Sequence, residues 1–516
     1  MNKLYAILLM ILIALFTGAV IGLGEEKSDN TLVVGDLSTS VSTLDPATED
    51  SGVLADKTLI VETLVGVNPD MSLKPKLAES WKQLDDKTWE FKLRDNILFH
   101  DGSKMTADDV KFSLERANKL NTRVPSLLKL DFIEVVDPLT LRIHTTEPNY
   151  ILPAALHYAS PLGIISPKSV DSNGEVSKPI GTGPFFLESY DETSNVITAK
   201  KNDKWWGGDV KLDEIILKTI PDANTRALSL ENGELDFTVD VPYNEIERIG
   251  KISGINVDEF NNSRLSYMYF NLKKAPYDDI KVRQAIAYGM DRKSIVDYIL
   301  FGVGTPAIGI FRPEYYWTEK GLKSYDYDVQ KARDLLAEAG WKDTDGDGII
   351  EKDGTKFEMS LIANPSRPCI QPMAEAVAGQ LKEIGIKVNV ECLESGIISD
   401  RQKRGEWDSA LATLSVAMVP DASYFLEPFF KTDGISNRGY SNARVDELLN
   451  DAANSQDEND RISKYKEVQS IIQDEVPIIP MTYYEMVVAM KDYVKGYVFD
   501  YTSHDFTLTP ETYIER

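Results

Sequence analysis

The chain has 516 residues, 42% of them hydrophobic, and a formal net charge of −26 at pH 7. Its length predicts about two to four domains, and its hydrophobic fraction is sufficient for packed cores. The acidity excludes nucleic acid as a partner, because nucleic-acid binding requires a basic surface.

The first 24 residues predict export. A positive charge at Lys3 precedes an apolar run from Leu4 to Gly24, and charge returns at Glu25. This order is typical of a signal peptide, and the run is also long enough to span a bilayer if it is not cleaved. Residues 1–24 are therefore predicted to be a signal peptide or an N-terminal anchor, with no cysteine after them to carry a lipid. The remainder is predicted to be extracytoplasmic, in the periplasm or at the cell surface.

Several strands and helices are well marked. TWEFKLR alternates apolar and polar residues, and FIEVVDPLTLRIHT predicts a hairpin that turns at Asp137-Pro138. Thr106 and Asp109 form a capping box at the start of one helix. Asp328 caps another helix, which Gly340 ends. Strands and helices alternate in the C-terminal half, which predicts mixed α/β domains with parallel strands.

The two cysteines lie near the ends of two predicted strands. Cys369 follows KFEMSLIANP and Cys392 lies late in IKVNVECLE, with a predicted helix between them. The C-terminal ends of neighbouring strands lie together in such a unit, and an exported location permits a disulfide. A disulfide and two free thiols are both compatible with this pattern.

No catalytic signature is present in the sequence. It contains no Walker A loop, dinucleotide fingerprint, nucleophile elbow or zincin helix, and its four histidines lack metal-ligand spacing. A long, acidic, exported chain of this kind is predicted to bind a solute rather than to catalyse a reaction. A hydrolase that uses two carboxylates is the alternative from another class, because such a pair needs no local motif.

The stretch DTDGDGIIEKDG begins like a calcium loop. Asp343, Asp345, Asp347 and Glu351 take positions one, three, five and nine of such a loop. Position twelve, where a bidentate glutamate belongs, is Gly354, and a predicted strand follows instead of a helix. Two interpretations remain: a surface turn built by aspartates and glycines, or a weak, stabilising calcium site at the four acids. No other cofactor is predicted.

Several blocks in a fixed order resemble the peptide/nickel solute-binding proteins of ABC importers, solute-binding family 5. The signature block is LKPKLAESWKQLDDKTWEFKLRDNILFHDGSKMTADDVKFSLERA. Later blocks are PIGTGPFFLESYD, KNDKWWGG, PDANTRALSLENGELDF, YFNLKKAPYDDIKVRQAIAYGMDRKSIVDYILFGVGTPA, YDYDVQKARDLLAEAGW and NRGYSNARVDELLNDA. The resemblance covers nearly the whole chain after the leader. It is specific for the family and not for a ligand.

The resemblance implies an α/β fold of the periplasmic-binding-protein type (type II, large class with an extra inserted domain), with two lobes joined by a hinge. Lobe I is expected at 31–68, 184–272 and 487–516, the inserted domain at 69–183 and lobe II at 273–486. The solute is expected to be enclosed between the lobes and delivered to a membrane permease with its ATPase. The protein is expected to be a monomer without catalytic activity.

Peptide-binding members of the family pair the ligand's ammonium terminus with an aspartate of the second lobe, because a desolvated cation needs a fixed countercharge. At the corresponding position this chain has Met418, and the nearest acid is Asp421. Asp421 therefore has two candidate roles, as a substitute anchor or as the cap of the helix that follows.

Nickel-chelate members use arginines, a tryptophan and a histidine. Arg123 takes the position of one such arginine, but the segment 157–166 lacks the other, and Val416 stands near the tryptophan position with no histidine in the segment after it. Arg123 is a candidate contact for an anionic group of a solute, or else it projects into solvent.

The ligand-binding residues that the resemblance implies are Arg123, Asp421, Tyr424, Asn437, Arg438 and Tyr440. A small peptide is the first expected solute, a metal chelate the second, and a sugar or another polar solute the third. A receptor or chaperone that never feeds a permease is a further rival.

Overall fold

The architecture is that of a computed structural model. The structure describes residues 29–37, 43–48, 53–502 and 506–516, so the predicted leader and His504 lie outside the described residues. Within these ranges, no helix is long and apolar enough to cross a membrane.

The strands of the described ranges are numbered in chain order. They are β1 (Thr31–Asp36), β2 (Val65–Val67), β3 (Leu73–Pro75), β4 (Ala78–Asp85), β5 (Thr88–Leu93), β6 (Leu130–Asp137), β7 (Thr140–Thr145), β8 (Phe185–Asp191), β9 (Val196–Lys201), β10 (Glu214–Thr219), β11 (Phe237–Val239), β12 (Ile255–Phe270), β13 (Thr305–Pro306), β14 (Glu351–Lys352), β15 (Thr355–Lys356), β16 (Glu358–Ala363), β17 (Lys387–Cys392), β18 (Ser409–Ser415), β19 (Ile478–Lys491), β20 (Val494–Lys495) and β21 (Tyr513–Ile514).

The α-helices are numbered in the same way. They are α1 (Ala107–Leu120), α2 (Val124–Leu128), α3 (Leu152–Ala155), α4 (Ala159–Leu162), α5 (Ala223–Glu231), α6 (Ile246–Gly250), α7 (Ile280–Tyr288), α8 (Arg292–Ser294), α9 (Val329–Glu338), α10 (Ile370–Glu383), α11 (Ser395–Arg404), α12 (Ser423–Phe430), α13 (Ala443–Ala453) and α14 (Glu458–Glu475). Shorter helical turns lie at Val53–Lys57, Pro167–Ser169, Tyr243–Glu245 and Ile295–Ile299.

One mixed sheet of 11 strands runs through both lobes. Its order is β17-β16-β18-β12-β19-β11-β1-β10-β9-β8, and β13 pairs with β19 at its side. β1 lies parallel to β10 and β11, and β16 lies parallel to β17 and β18. Parallel neighbours need a crossover connection, which α10 provides between β16 and β17. The α/β class and the two-lobed fold are thereby confirmed.

Two long strands, β12 and β19, connect the two halves of this sheet. β12 pairs with the second part of β19 up to Asn261, and from Leu265 it pairs with β18 and with the start of β19. The register shifts between Asn261 and Leu265, as at a β-bulge. The bulge therefore lies where the chain crosses from one lobe to the other. The lobe boundaries expected at 272 and 486 stay a prediction.

The guanidinium group of Arg312 holds this crossing together. It donates to the carbonyl of Asn262 at 2.8 Å, to the carbonyl of Tyr484 at 2.7 Å and to Oδ1 of Asn261 at 3.0 Å. A bulge leaves backbone groups without a strand partner, and buried backbone groups must be paired. Arg312, which is 5% exposed, supplies hydrogen bonds to both crossing strands.

A separate four-stranded antiparallel sheet, β4-β5-β7-β6, has its own hydrophobic core. β5 is the predicted TWEFKL strand, with Phe91 and Leu93 buried, and β6 and β7 form the predicted hairpin. α1 packs against β6. It begins after Thr106, whose backbone N–H donates to Asp109 at 2.8 Å, so the capping box is confirmed. The sheet lies inside the segment expected for the inserted domain, 69–183.

The helix predicted after Asp328 is α9. Oδ1 of Asp328 accepts a hydrogen bond from the backbone N–H of Lys331 at 2.9 Å, which satisfies a donor of the first turn. Ala332 and Leu336 are buried on its inner face. Gly340 follows the helix with a φ of 91°, a conformation that glycine adopts readily. Cap, apolar face and stop are all where the sequence predicts them.

Both cysteines are free thiols. Cys369 is buried directly before α10, whereas Cys392 is exposed at the end of β17, in register with Ala363 of β16. The two strand ends therefore meet as expected. Cys369 lies beyond the end of β16, separated from it by residues 364–368, so the strand pairing does not bring the two side chains together.

Two neighbouring tryptophans join the large sheet to the inserted domain. Trp205 packs against the core of the large sheet and Trp206 against the core of the four-stranded sheet. Both indole N–H groups donate to Oε2 of Glu62, at 3.4 Å and 2.8 Å, and the hydroxyl of Thr182 donates to the same atom at 2.9 Å. Glu62 is 4% exposed, and burial raises the pKa of its carboxyl. This aromatic pair therefore has a packing role.

His100 is part of the same junction. Its Nδ1 accepts a hydrogen bond from the N–H of Gly181 at 3.1 Å, and its Nε2 donates to the carbonyl of Gly183 at 3.1 Å. Burial lowers the pKa of His100 to about 4. A neutral imidazole therefore pairs two backbone groups, which is a structural role.

We predict that acidification destabilises the fold partly through His100. An unfolded histidine takes up a proton near pH 6.5, whereas the folded one does so near pH 4. The unfolded chain therefore binds more protons between these two pH values. The contribution of His100 to the free energy of unfolding is complete above pH 6.5 and decreases as the pH is lowered, by up to about 3 kcal/mol. Thermal melts at about pH 7.5 and about pH 4.5 check this.

His100→Asn should be less stable than wild type near neutral pH and should lose less stability on acidification. His144→Asn, at the surface of the four-stranded sheet, is the control. Equal losses in wild type and His100→Asn would contradict the assignment.

Candidate functional site

The lobes meet at a small apolar cluster, which we call the interlobe cleft. Ala154 and Tyr158 come from the inserted segment, and Met418 and Val419 follow β18 of the second lobe; all four are buried. Tyr424 of α12 packs against them, with its ring edge-on to that of Tyr158 and the centroids 6.4 Å apart. Met418, at the position of the expected aspartate, is therefore part of the contact between the lobes.

Two arginines flank Tyr424. Burial raises the pKa of Tyr424, and the positive charges of Arg123 and Arg264 act in the opposite direction. Arg123 lies directly before α2, and Arg264 lies in the bulge of β12. The exposed side chain of Arg123 is thus within electrostatic reach of the cleft. The positive charges of two guanidinium groups therefore act on one tyrosine of the cleft.

Asp421 makes the contacts of a helix cap. Its Oδ1 accepts hydrogen bonds from the N–H and the hydroxyl of Ser423, at 2.8 Å and 2.6 Å, at the start of α12. Burial raises the pKa of Asp421, and the charge of Arg461 lowers it. Of its two candidate roles, the cap is therefore the one that these contacts support.

Asn437, Arg438 and Tyr440 lie together in one turn of the second lobe. The amide of Asn437 donates to the carbonyl of Tyr440 at 2.9 Å, and the hydroxyl of Tyr440 donates to Glu475 at 2.5 Å. The guanidinium carbon of Arg438 lies 6.0 Å from the ring centre of Tyr269. These contacts stabilise the turn, and they give no link to Tyr424. Their role as ligand contacts stays a prediction.

A buried ion pair lies at the hinge and joins the two lobes. Nη1 of Arg367, which follows β16, donates to Oδ2 of Asp240 at 3.0 Å, and the two side chains are 5% and 0% exposed. Arg226 donates to the backbone carbonyl of Asp240 at 2.8 Å. An ion pair so deeply buried is costly to desolvate, and loss of either partner would leave an uncompensated buried charge.

Four further polar atoms are buried beside this ion pair. They are Oδ1 of Asp240, the hydroxyls of Tyr243 and Tyr484, and Oγ of Ser266. Burial and then the charge of Asp240 raise the pKa of Tyr484. These groups are close enough to interact with one another: the phenol of Tyr484 with Asp240 and with Tyr243, and Oγ of Ser266 with the thiol of Cys369. We call this cluster the hinge chamber; its residues are Asp240, Tyr243, Ser266, Arg367, Cys369 and Tyr484.

The hinge chamber and the interlobe cleft are neighbours along β12. Arg264, beside Tyr424, and Ser266, beside Cys369, stand two residues apart on this strand. The register of β12 shifts on both sides of this stretch, so the two residues are close along the chain without following the regular alternation of a strand.

The lobes lie close together. A cavity of about 80 Å³ is lined by residues of the inserted segment, including Tyr150, and of the second lobe, including Tyr424 and Glu427. Small-molecule sites usually measure about 300–1,000 Å³. The space between these two surfaces is therefore smaller than a usual small-molecule site.

The residues of the hinge chamber are not apparent from the sequence. Asp240 directly follows β11 and Arg367 lies in the loop after β16, so both stand beyond the carboxyl end of a sheet strand. Ligands in open α/β sheets bind near such ends, so the position of a polar residue after a strand is the available sequence signal for a binding site. That signal does not distinguish Asp240 and Arg367 from the many other polar residues in comparable positions.

The acidic loop at Asp343 folds as a turn stabilised by its own backbone. Ligating oxygens of Asp343, Asp345 and Glu351 lie within 4.8 Å of one another. The carboxylate of Asp343 already accepts hydrogen bonds from the N–H groups of Gly346 and Gly348, at 2.7 Å and 3.0 Å. The aspartates therefore serve the turn itself.

Lys356 brings a positive charge to this loop. Its ammonium lies 2.9 Å from Asp345 and also donates to Asp347. The hydrogen bond from Lys356 lowers the pKa of Asp347. The turn interpretation is thus consistent without an ion, and the calcium site stays a prediction.

We predict that chelation leaves the melting temperature of the wild-type protein unchanged, because Lys356 already balances the charge of Asp345 and Asp347. Melting curves in excess chelator and in excess calcium measure this. Lys356→Ala is the matched variant: its carboxylates repel one another, so calcium should raise its melting temperature. A calcium-dependent rise in the wild type would instead establish the calcium site.

Two lobes that close over a cleft at a two-strand hinge define a solute-binding protein of the periplasmic type. The family model for bacterial extracellular solute-binding proteins, family 5 (middle region), matches residues 72–437. The chain belongs to this family, whose members are binding proteins that act outside the cytoplasm.

Relatives with different ligands cover nearly the whole chain. Oligopeptide-binding protein AppA of Bacillus subtilis is 29% identical over 502 residues, which span 92% of this chain and 90% of AppA. Heme-binding protein A of Haemophilus influenzae is 30% identical over 461 residues, which span 83% of this chain and 82% of that protein. The crystal structure of NikA from Brucella suis in complex with Fe(III)-EDTA superposes with a TM-score of 0.86 at 26% identity, covering 94% of this chain and 100% of NikA.

Proposed function

We propose that this protein is the receptor of an ABC importer and captures a small peptide-like solute between its lobes. The observation that supports the proposal is the hinge chamber, a buried group of polar side chains around the ion pair of Asp240 and Arg367. A solute that exchanges hydrogen bonds with these groups would favour closure of the lobes over it.

The polarity of the site fits a zwitterion with amide groups. Oδ1 of Asp240 only accepts hydrogen bonds, so it calls for an ammonium or an amide N–H. The hydroxyls of Tyr243 and Tyr484 both donate and accept, which suits a peptide unit. Arg123 and Arg264 at the other end suit a carboxylate. That the related AppA is an oligopeptide-binding protein supports the same solute class.

The chemistry of the chamber supports binding rather than turnover. Its thiol, Cys369, is buried, and burial raises its pKa to about 12. The nucleophilic form of cysteine is the thiolate, which such a group does not provide at neutral pH. The proposed protein therefore delivers its solute unchanged to a permease with its ATPase.

We propose further that the protein works as a monomer held outside the cytoplasm by its exported leader. The apolar run in residues 1–24, after the basic start, supports export. The protein reaches the membrane through this leader, if the leader is not cleaved, and through docking on the permease.

The test first identifies the bound solute and then replaces a side chain that is expected to bind it. Mass spectrometry of material released by denaturing the purified protein should find peptides. Asp240→Asn should weaken binding of such a peptide about tenfold or more, because a charged acceptor is lost. The N-acetylated peptide, which lacks the ammonium, should bind wild type and variant equally. Calorimetry measures both affinities.

Tyr243→Phe is a second variant with a smaller expected effect than Asp240→Asn, because it removes one hydroxyl and keeps the ring. Thermal melts establish that both variants fold. The proposal fails if no peptide is released, or if both folded variants bind peptide as tightly as wild type.

A metal chelate is the second candidate. Arg123 and Arg264, both beside Tyr424, suit the carboxylates of an anionic chelate, and the related NikA holds Fe(III)-EDTA. Elemental analysis of the purified protein distinguishes the two candidates. One metal ion per chain, lost together with the released solute, would replace the peptide proposal by the chelate.

A further inference from the structure

The cavity of about 80 Å³ between the inserted segment and the second lobe adjoins the interlobe cleft. Leu127 and Tyr424 line this cavity and also pack against the apolar cluster of the cleft. One water molecule needs about 10–15 Å³ of such space, so the cavity can hold several waters or the end of one long side chain. It is too small for a whole solute. We call it the side pocket.

The side pocket is lined by an acid that no base of the described residues pairs with directly. Glu427, on α12, is this acid. Burial raises the pKa of its carboxyl; the charges of Lys129 and Lys431 oppose the rise, and that of Asp421 adds to it. Among the residues that the structure describes, the side chain of Glu427 makes no ion pair and no hydrogen bond. A carboxylate in such surroundings is stabilised by a cation.

The bases near the side pocket already have acidic partners. Two of them form ion pairs, Lys129 with Glu147 at 2.8 Å and Lys431 with Asp433 at 3.8 Å. The third base, Arg461, lines the pocket, and its charge lowers the pKa of Asp421. Glu427 is thus the acid of this group without a base of its own, so the side pocket favours a group that brings a positive charge.

The other walls of the side pocket suit the methylene part of a basic side chain. Leu127, Pro148, Tyr150 and Ile151 of the inserted segment supply apolar surface, whereas Glu427 belongs to the second lobe. A lysine covers such surface with its methylene groups while its ammonium stays beside a polar partner. Shape, apolar walls and the unpaired acid therefore fit the same kind of group.

We propose that the side pocket takes the basic side chain of the solute's C-terminal residue, with its ammonium paired to Glu427. The inference rests on the proposed function and specifies the peptide that the protein selects. Arg123 and Arg264, the proposed partners of the solute's carboxylate, both act on Tyr424, which lines the side pocket. The side chain that reaches the pocket is therefore the one next to that carboxylate.

The test compares the tripeptides Ala-Ala-Lys and Ala-Ala-norleucine, which differ only in the terminal amino group of the last side chain. Calorimetry should show that the wild type binds the lysine peptide about tenfold or more tightly, because a charge-assisted contact is gained. In Glu427→Gln, which keeps the shape and removes the charge, this ratio should fall to near one. The ratio for Lys-Ala-Ala against norleucine-Ala-Ala should be the same in wild type and variant.

Glu358→Gln is the matched control, because it removes one negative charge from a partly exposed side chain of β16. It should keep the wild-type ratio. Equal affinities of the wild type for Ala-Ala-Lys and Ala-Ala-norleucine, or an undiminished ratio in folded Glu427→Gln, would contradict this inference and leave the proposed function standing. A wild type that binds none of the four peptides would overturn both.

Thermal melts test the unpaired state of Glu427 without any solute. Glu427→Gln should melt at a higher temperature than wild type at about pH 7.5, because it removes a carboxylate that is buried without a partner. The difference should shrink toward about pH 4, where the raised pKa of Glu427 leaves the wild-type carboxyl largely protonated. Glu358→Gln should gain no stability, since it loses its ion pair with Lys387. A Glu427→Gln variant that melts below wild type at about pH 7.5 would show that the carboxylate is already paired, against the inference.

Discussion

The structure depends on the way Arg312 bridges two strands at the place where their register breaks. β12 and β19 are shared by both lobes, so any motion between the lobes must occur where these strands pass from one to the other. A bulge gives that freedom by interrupting the ladder. Arg312 limits it, because its three hydrogen bonds hold Asn261, Asn262 and Tyr484 together. The hinge is therefore a defined joint rather than a loose linker.

Local structure could largely be predicted from the sequence, because its signals lie within a few residues of one another. The alternation in TWEFKLR, the capping box of Thr106 with Asp109 and the cap at Asp328 are all found in place. The ordered blocks also identify the family, since each block combines caps, turns and core positions at fixed spacing. These signals specify the scaffold and carry little information about the solute.

The candidate site could be predicted only in part. Tyr424 packs in the interlobe cleft and the charge of Arg123 acts on it, while their role as ligand contacts stays a prediction. Asp240, Ser266 and Arg367 come from three distant parts of the chain, and only the folded sheet brings them together. Asp421 bonds to the hydroxyl and the N–H of Ser423, which supports the local role, and sequence alone leaves open the choice between local and distant partners.

The indole pair at Glu62 has an optical consequence. Trp205 and Trp206 are consecutive, yet each packs into a different core, and one carboxylate oxygen accepts from both rings. A rotation of the inserted domain against the large sheet would alter the packing or the polarity around one indole before the other. The chain has seven tryptophans, so a variant that keeps only this pair would let intrinsic fluorescence follow the movement of the inserted domain in solution without any added label.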